Sequence, residues 1–150
     1  MPELIHRTFT GTTTKVAADS RSLDAVFSTE TVDSYGEIVK QNWDLERFRR
    51  NSVLLLQHNS VGFLGSPTAQ ETLPIGRVEN IRVEGGQLRG RVVFASKDAN
   101  PIAEQVRLLY DEGAMSAFSV GFHSHARSSA KVNGKDVPVL DKNELFEISA

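Results

Sequence analysis

Ile75-Gly76-Arg77-Val78-Glu79-Asn80-Ile81-Arg82-Val83-Glu84-Gly85-Gly86-Gln87-Leu88-Arg89-Gly90-Arg91-Val92-Val93-Phe94 is the stretch whose reading decides the fold. Ile75 to Val83 and Leu88 to Phe94 are the arms of the clearest hairpin in the chain. Gly85-Gly86 lies between them, and glycine accepts the positive φ that hairpin turns require. Val92-Val93-Phe94 is β-branched and aromatic, the composition that strands favour.

The same grammar extends both ways. Upstream, Leu23 to Thr29 alternates as a strand, Asp33-Ser34-Tyr35-Gly36 reads as a turn, and Glu37-Ile38-Val39 starts another strand. Asp44 is placed to cap a short helix, Leu45 to Arg50, by accepting from free first-turn amides. Val53 to Gln57 reads as a short buried strand, followed by a loop over residues 59 to 72 with Gly62, Gly65 and Pro67. Downstream, Asn100-Pro101 opens the main helix, a cap followed by a residue suited to the first helical position. Ile102, Val106, Leu109 and Tyr110 form its apolar stripe, and Gly113 closes it. Met115 to His125 is a strand. Asn133-Gly134 is a type I′ turn signal between Lys131-Val132 and Lys135 to Leu140, and Glu144 to Ser149 is the last strand. The expectation is a mainly β chain with peripheral helices (α+β), its seven or eight strands forming a closed or nearly closed antiparallel barrel.

Composition narrows the function. The 150 residues make one domain, 1–150, large enough to bury roughly two thirds of its unfolded surface without staples. Seventeen Lys+Arg against nineteen Asp+Glu leave a net charge of −2, without the basic excess of a nucleic-acid binder. There is no Cys, hence no disulfide, thiolate metal site or Cys nucleophile. The longest purely apolar run, Val53-Leu54-Leu55-Leu56, is far short of a membrane span, and the polar N-terminus lacks a secretory core. The expected compartment is intracellular, with no membrane partner.

Four histidines are present: His6, His58, His123 and His125. His58 ends the apolar strand, where rigid support meets solvent and an imidazole is well placed as a base; the plainer alternative is a satisfied strand-end histidine. Ser119 lies among large apolar residues in Ala117-Phe118-Ser119-Val120-Gly121-Phe122. A buried hydroxyl needs a partner, so it is either a nucleophile or a core serine bonded to a nearby carbonyl. Gly121 leaves room there for a substrate backbone. The segment departs from the Gly-x-Ser-x-Gly elbow, which disfavours an α/β-hydrolase, and Ser116 is a rival of opposite parity. His123-Ser124-His125 puts two imidazoles on one strand face, the Ser119 face, but no carboxylate is evidently placed to complete a metal site, so neither metal nor cofactor is expected. In Glu144-Leu145-Phe146-Glu147-Ile148-Ser149, strict alternation groups Leu145, Glu147 and Ser149 against Glu144, Phe146 and Ile148. Glu147, among apolar neighbours, needs a hydrogen-bonding or cationic partner, and an imidazole would serve.

In order, these pieces resemble the tailed-phage prohead maturation protease family. They are the strand ending Leu56-Gln57-His58-Asn59, Ile75-Gly76-Arg77-Val78, the Gly-Gly hairpin ending Val93-Phe94, a helix, Phe118-Ser119-Val120-Gly121-Phe122 and Glu144 to Ser149. Thr31 to Val39 also resembles the family's strand-turn-strand with a D-x-x-G-(D/E)-x-(V/I) pattern, so the likeness spans about residues 20 to 150. The resemblance implies an assemblin-like serine endopeptidase that cuts the scaffold, the scaffolding segment of the major capsid protein and itself, inside the procapsid in the host cytoplasm. It implies Ser119 as nucleophile, His58 as general base and Glu147 as third member, with Glu144 and Asp141 as alternatives for that third role. Activation by dimerisation in the herpesvirus relatives implies a homodimer or higher oligomer. The family continues past this last strand, so an end at Ala150 reads as truncated or self-processed. Backbone amides near Ser119, with Arg127 close by, would stabilise the oxyanion, and substrate would pair as an extended strand with an exposed edge near Ser119. The rival reading is a non-catalytic β-barrel scaffold or capsid-interaction module; a second is a metal-dependent hydrolase built on His123 and His125.

Overall fold

The structure is a computed structural model describing residues 3–9, 13–16, 20–57 and 73–150. His58 and the loop over 59–72 lie outside the described residues.

The described chain is mainly β with two helices. Its elements in order are β1 (Ile5–Phe9), β2 (Thr13–Lys15), β3 (Ser22–Thr29), β4 (Ile38–Val39), β5 (Trp43–Asp44), α1 (Glu46–Arg50), β6 (Val53–Leu55), β7 (Gly76–Glu84), β8 (Gln87–Phe94), α2 (Pro101–Asp111), β9 (Phe118–Val132) and β10 (Lys135–Ser149). The hairpin of β7 and β8 forms as expected, with Gly85 and Gly86 at φ of 60° and 71°.

The sheet corrects the expected barrel in two respects. Its order is β1-β9-β10-β6-β7-β8-β3-β2, a curled half-barrel that stays open, because among the described residues β1 and β2 are each paired on one side only. It is also mixed rather than antiparallel. β4, β5 and β6 lie successively along one edge of β10, all parallel to it. From Ile38 to Leu55 the chain advances in one direction beside β10, interrupted by α1, and never turns back as a hairpin, so its strands cannot pair antiparallel.

β9 and β10 are longer than the sequence pattern shows. Lys135 to Leu140 and Glu144 to Ser149 join into one strand, opposed to β9 across the Asn133-Gly134 turn, where both residues have positive φ (51° and 77°). The junction is bolted. Asn143 is fully buried, and its amide group donates to the carbonyls of Lys40 (2.9 Å) and Leu140 (3.3 Å).

The core lies on one face of this sheet. Phe27 meets Phe118 edge-on, Tyr110 stacks on Phe118 at 4.7 Å, and Trp43 meets Phe122 edge-on. Asn100 caps α2 by accepting from the Ile102 amide, with Pro101 at the first position. The buried stripe of α2 is Ala103, Val106 and Tyr110, while Leu109 is left exposed, because the helix packs its Tyr110 edge onto Phe94 and Phe118. The Asp44 carboxylate accepts from the Glu46 amide, so the expected local bond is present, although Leu45 occupies the cap position.

Candidate active site

Ser119 is the second residue of β9, and its position is set from α2. The Tyr110 hydroxyl donates to the Ala117 carbonyl at 2.6 Å, and the Tyr110 ring stacks on Phe118. Burial without a charged partner raises the phenol's pKa above its ordinary ~10, so the hydroxyl stays a donor. Phe118, Val120 and Phe122 point into the core, which turns Ser119, Gly121 and His123 to the opposite face. β9 begins at Phe118, so the rival Ser116 precedes the strand and is exposed.

Three strands converge at this face. Thr8 of β1, Ser119 of β9 and Ser149 of β10 form one row; His6, Gly121 and Glu147 form the next. The Ser119 hydroxyl donates to the Arg7 carbonyl at 3.1 Å, the kind of bond that the plainer reading of this serine anticipates. Ser149 is fully buried, and its hydroxyl has no hydrogen-bond partner among the described residues.

Glu147 reaches this face through a fault in the strand. The register shifts between Leu145 and Glu147, a β-bulge that keeps Leu145 in the core yet brings Glu147 out beside Gly121. The parity derived from alternation is therefore corrected: Glu144 and Glu147 share the Ser119 face, and Leu145 does not. His6 Nε2 donates to Glu147 Oε1 at 2.6 Å, so the carboxylate holds an imidazole. His6, three residues from the start of the described chain, carries no sequence signal for this role; only the pairing of β1 with β9 brings it here.

The space that Gly121 provides is taken by protein. A Cβ at this position would lie 2.5 Å from Glu147 Cγ, so the glycine accommodates the glutamate rather than a substrate backbone. Arg127 is misplaced for an oxyanion role. It pairs with Leu140 eight residues along β9, about 26 Å from Ser119 at ~3.3 Å per residue. β9 itself has no open edge at Ser119, since it is hydrogen-bonded there on both sides, to Thr8 and Ser149, and the nearest edge unpaired among the described residues is the outer side of β1. The residue before His58 is tied to the end of β10: the Gln57 amide donates to the Ala150 carbonyl at 2.9 Å, one residue beyond Ser149.

Further along the same face, Glu144 lies opposite His123, and its Oε1 is 3.2 Å from His125 Nε2. This is the carboxylate that the sequence pattern did not reveal. A cavity of about 610 Å³ opens elsewhere, against β3, β7 and β8, and its walls include Asp24, Glu79, Arg82 and Arg91. Arg91 pairs there with Asp24 and Arg82 with Glu84, and none of the serines above lines it.

No protein-family description and no curated protein matches the sequence. The architecture nonetheless has a counterpart among solved structures: the fold is similar to that of a phage capsid assembly protease. The structure of the bacteriophage T4 capsid assembly protease, gp21, is similar with a TM-score of 0.59, over 99% of this chain and 98% of that chain, at 10% identity. No helix among the described residues is long and apolar enough to cross a membrane.

Proposed function

We propose that this chain is a serine endopeptidase of phage procapsid maturation, acting within the procapsid in the host cytoplasm on scaffold protein, on the scaffolding segment of the major capsid protein and on itself. The observation that carries the reading is the end-to-end fold likeness to a capsid assembly protease, combined with Ser119 and Glu147 on neighbouring rows of one sheet face.

In this reading Ser119 Oγ attacks the scissile carbonyl while His58 takes its proton and then delivers it to the leaving amine. Glu147 fixes the imidazole tautomer and stabilises the imidazolium. The Ser119 proton, which points at the Arg7 carbonyl, turns toward the base when substrate binds. Backbone amides around Ser119 stabilise the oxyanion, a contribution worth about 10²–10³ in rate per donor. Because β9 is paired on both sides, the substrate strand lies across the face or adds to the outer edge of β1.

The 2.6 Å bond from His6 to Glu147 favours a second assignment, in which His6 is the base and His58 is not. Incubation with the cognate capsid–scaffold precursor tests the function. Processing by the parent chain and none by Ser119→Ala supports the peptidase. Equal processing by both, or by neither, supports the non-catalytic capsid-interaction module.

A further inference from the structure

We infer that His123, His125 and Glu144 form a binding site for a divalent first-row transition metal, independent of the peptidase reading. His123 and His125 are alternate residues of β9 and therefore share one face. Glu144 is the direct cross-strand partner of His123. One ligand atom from each residue lies within 4.8 Å of the other two.

The chemistry and the geometry agree. Two imidazoles and one carboxylate suit zinc and its neighbours, and a site with three protein ligands keeps one position open for water or a ligand. A tetrahedral ion with bonds of ~2.0–2.2 Å holds its ligand atoms about 3.4 Å apart. His125 Nε2 and Glu144 Oε1 already stand at 3.2 Å, so only His123 has to draw in. Its ring packs at 4.1 Å against Phe146, which limits its freedom. The backbone under Glu144 is fixed by the adjacent buried Asn143, whose amide donates to the Asn42 carbonyl and whose side chain bonds Lys40 and Leu140. Such support orients metal ligands in advance.

The electrostatic surroundings are mixed. Glu144 shares the wall of a cavity of about 170 Å³ with Asp44, Glu46, Arg47 and Arg50, two acids offsetting two cations. The Arg47 guanidinium is drawn over the Phe146 ring, 3.9 Å from its centroid. A bound ion would cross-link β9 to β10 about 13 Å along the strand from Ser119 at ~3.3 Å per residue, on the same face.

The test uses Zn²⁺ as probe on the full chain after chelator treatment, followed by calorimetry and thermal unfolding. One equivalent is expected to bind, with a rise in Tm that follows from binding the folded state alone. His125→Ala and Glu144→Gln should each weaken binding by about tenfold or more and remove most of the Tm rise. Co²⁺ in place of zinc should give the visible bands of a four- or five-coordinate ion in the parent chain and not in His125→Ala. Both residues are partly exposed, so these variants should fold, and their metal-free Tm checks it. The site is overturned by an absence of binding, by unchanged affinity in both variants, or by affinity that survives His125→Ala and falls in His6→Ala.

Discussion

Gly121 and Glu147 face each other across β9 and β10 so closely that a Cβ on Gly121 would lie 2.5 Å from Glu147 Cγ and 2.8 Å from Oε1. The glycine is the seat of the carboxylate. Gly121→Ala should therefore expel Glu147 from its row. We expect a loss of about 1–3 kcal/mol in stability from the forced repacking. Activity should fall as in Glu147→Gln, by about 10²–10⁴ if the carboxylate orients the base. Denaturant unfolding and precursor processing measure the two effects separately.

Two histidines compete for the role of base, and single substitutions separate them. His58→Ala should abolish processing and His6→Ala should leave most of it, even though His6 is the imidazole seen on Glu147. The reverse outcome in a processing assay would transfer the proton relay to β1.

Tyr110 acts on Ser119 at a distance of two residues, through the Ala117 carbonyl. Tyr110→Phe should cost about 1–2 kcal/mol, the price of a lost hydrogen bond and a carbonyl left short of a partner. As a positioning change it should lower kcat and leave KM nearly unaltered. The phenol also carries a pH signature. Its folded pKa lies above the ordinary ~10 of the unfolded chain, so its stabilising contribution is complete below pH ~10. That contribution is lost as pH rises past this value, because the unfolded chain gives up the proton first. Unfolding midpoints between pH 8 and about 11.5 should drop at the alkaline end in the parent and drop less in Tyr110→Phe.

Asn143 holds the segment around β4 and β5 to β10. Asn143→Ala would leave the Lys40 and Leu140 carbonyls without its amide, and should destabilise the fold by about 1–3 kcal/mol in urea unfolding. A change below a few tenths of that scale would show that the bolt is redundant.

What the sequence makes legible is local chemistry. The Gly85-Gly86 and Asn133-Gly134 turns, the Asn100 cap and the β7–β8 hairpin are where expected, because each depends on a few adjacent residues. The parallel run along β10 and the open sheet were not legible, because they depend on partners far apart in the chain. At the site, Ser119 and Glu147 were singled out from their polar character amid apolar neighbours. The grouping of Glu147 failed because a single bulge near Phe146 inverts strand parity beyond it. The contacts of His6 with Glu147 and of Glu144 with His125 were not legible for the same reason in another form. Each depends on a cross-strand pairing, His6 with Gly121 for the first and Glu144 with His123 for the second.

Covalent labelling with a fluorophosphonate, mapped by mass spectrometry, addresses the nucleophile without needing the natural substrate. The adduct should sit on Ser119 in the parent chain and vanish in both Ser119→Ala and His58→Ala. An adduct on Ser116, or undiminished labelling of Ser119 without His58, would contradict the catalytic arrangement proposed for this fold.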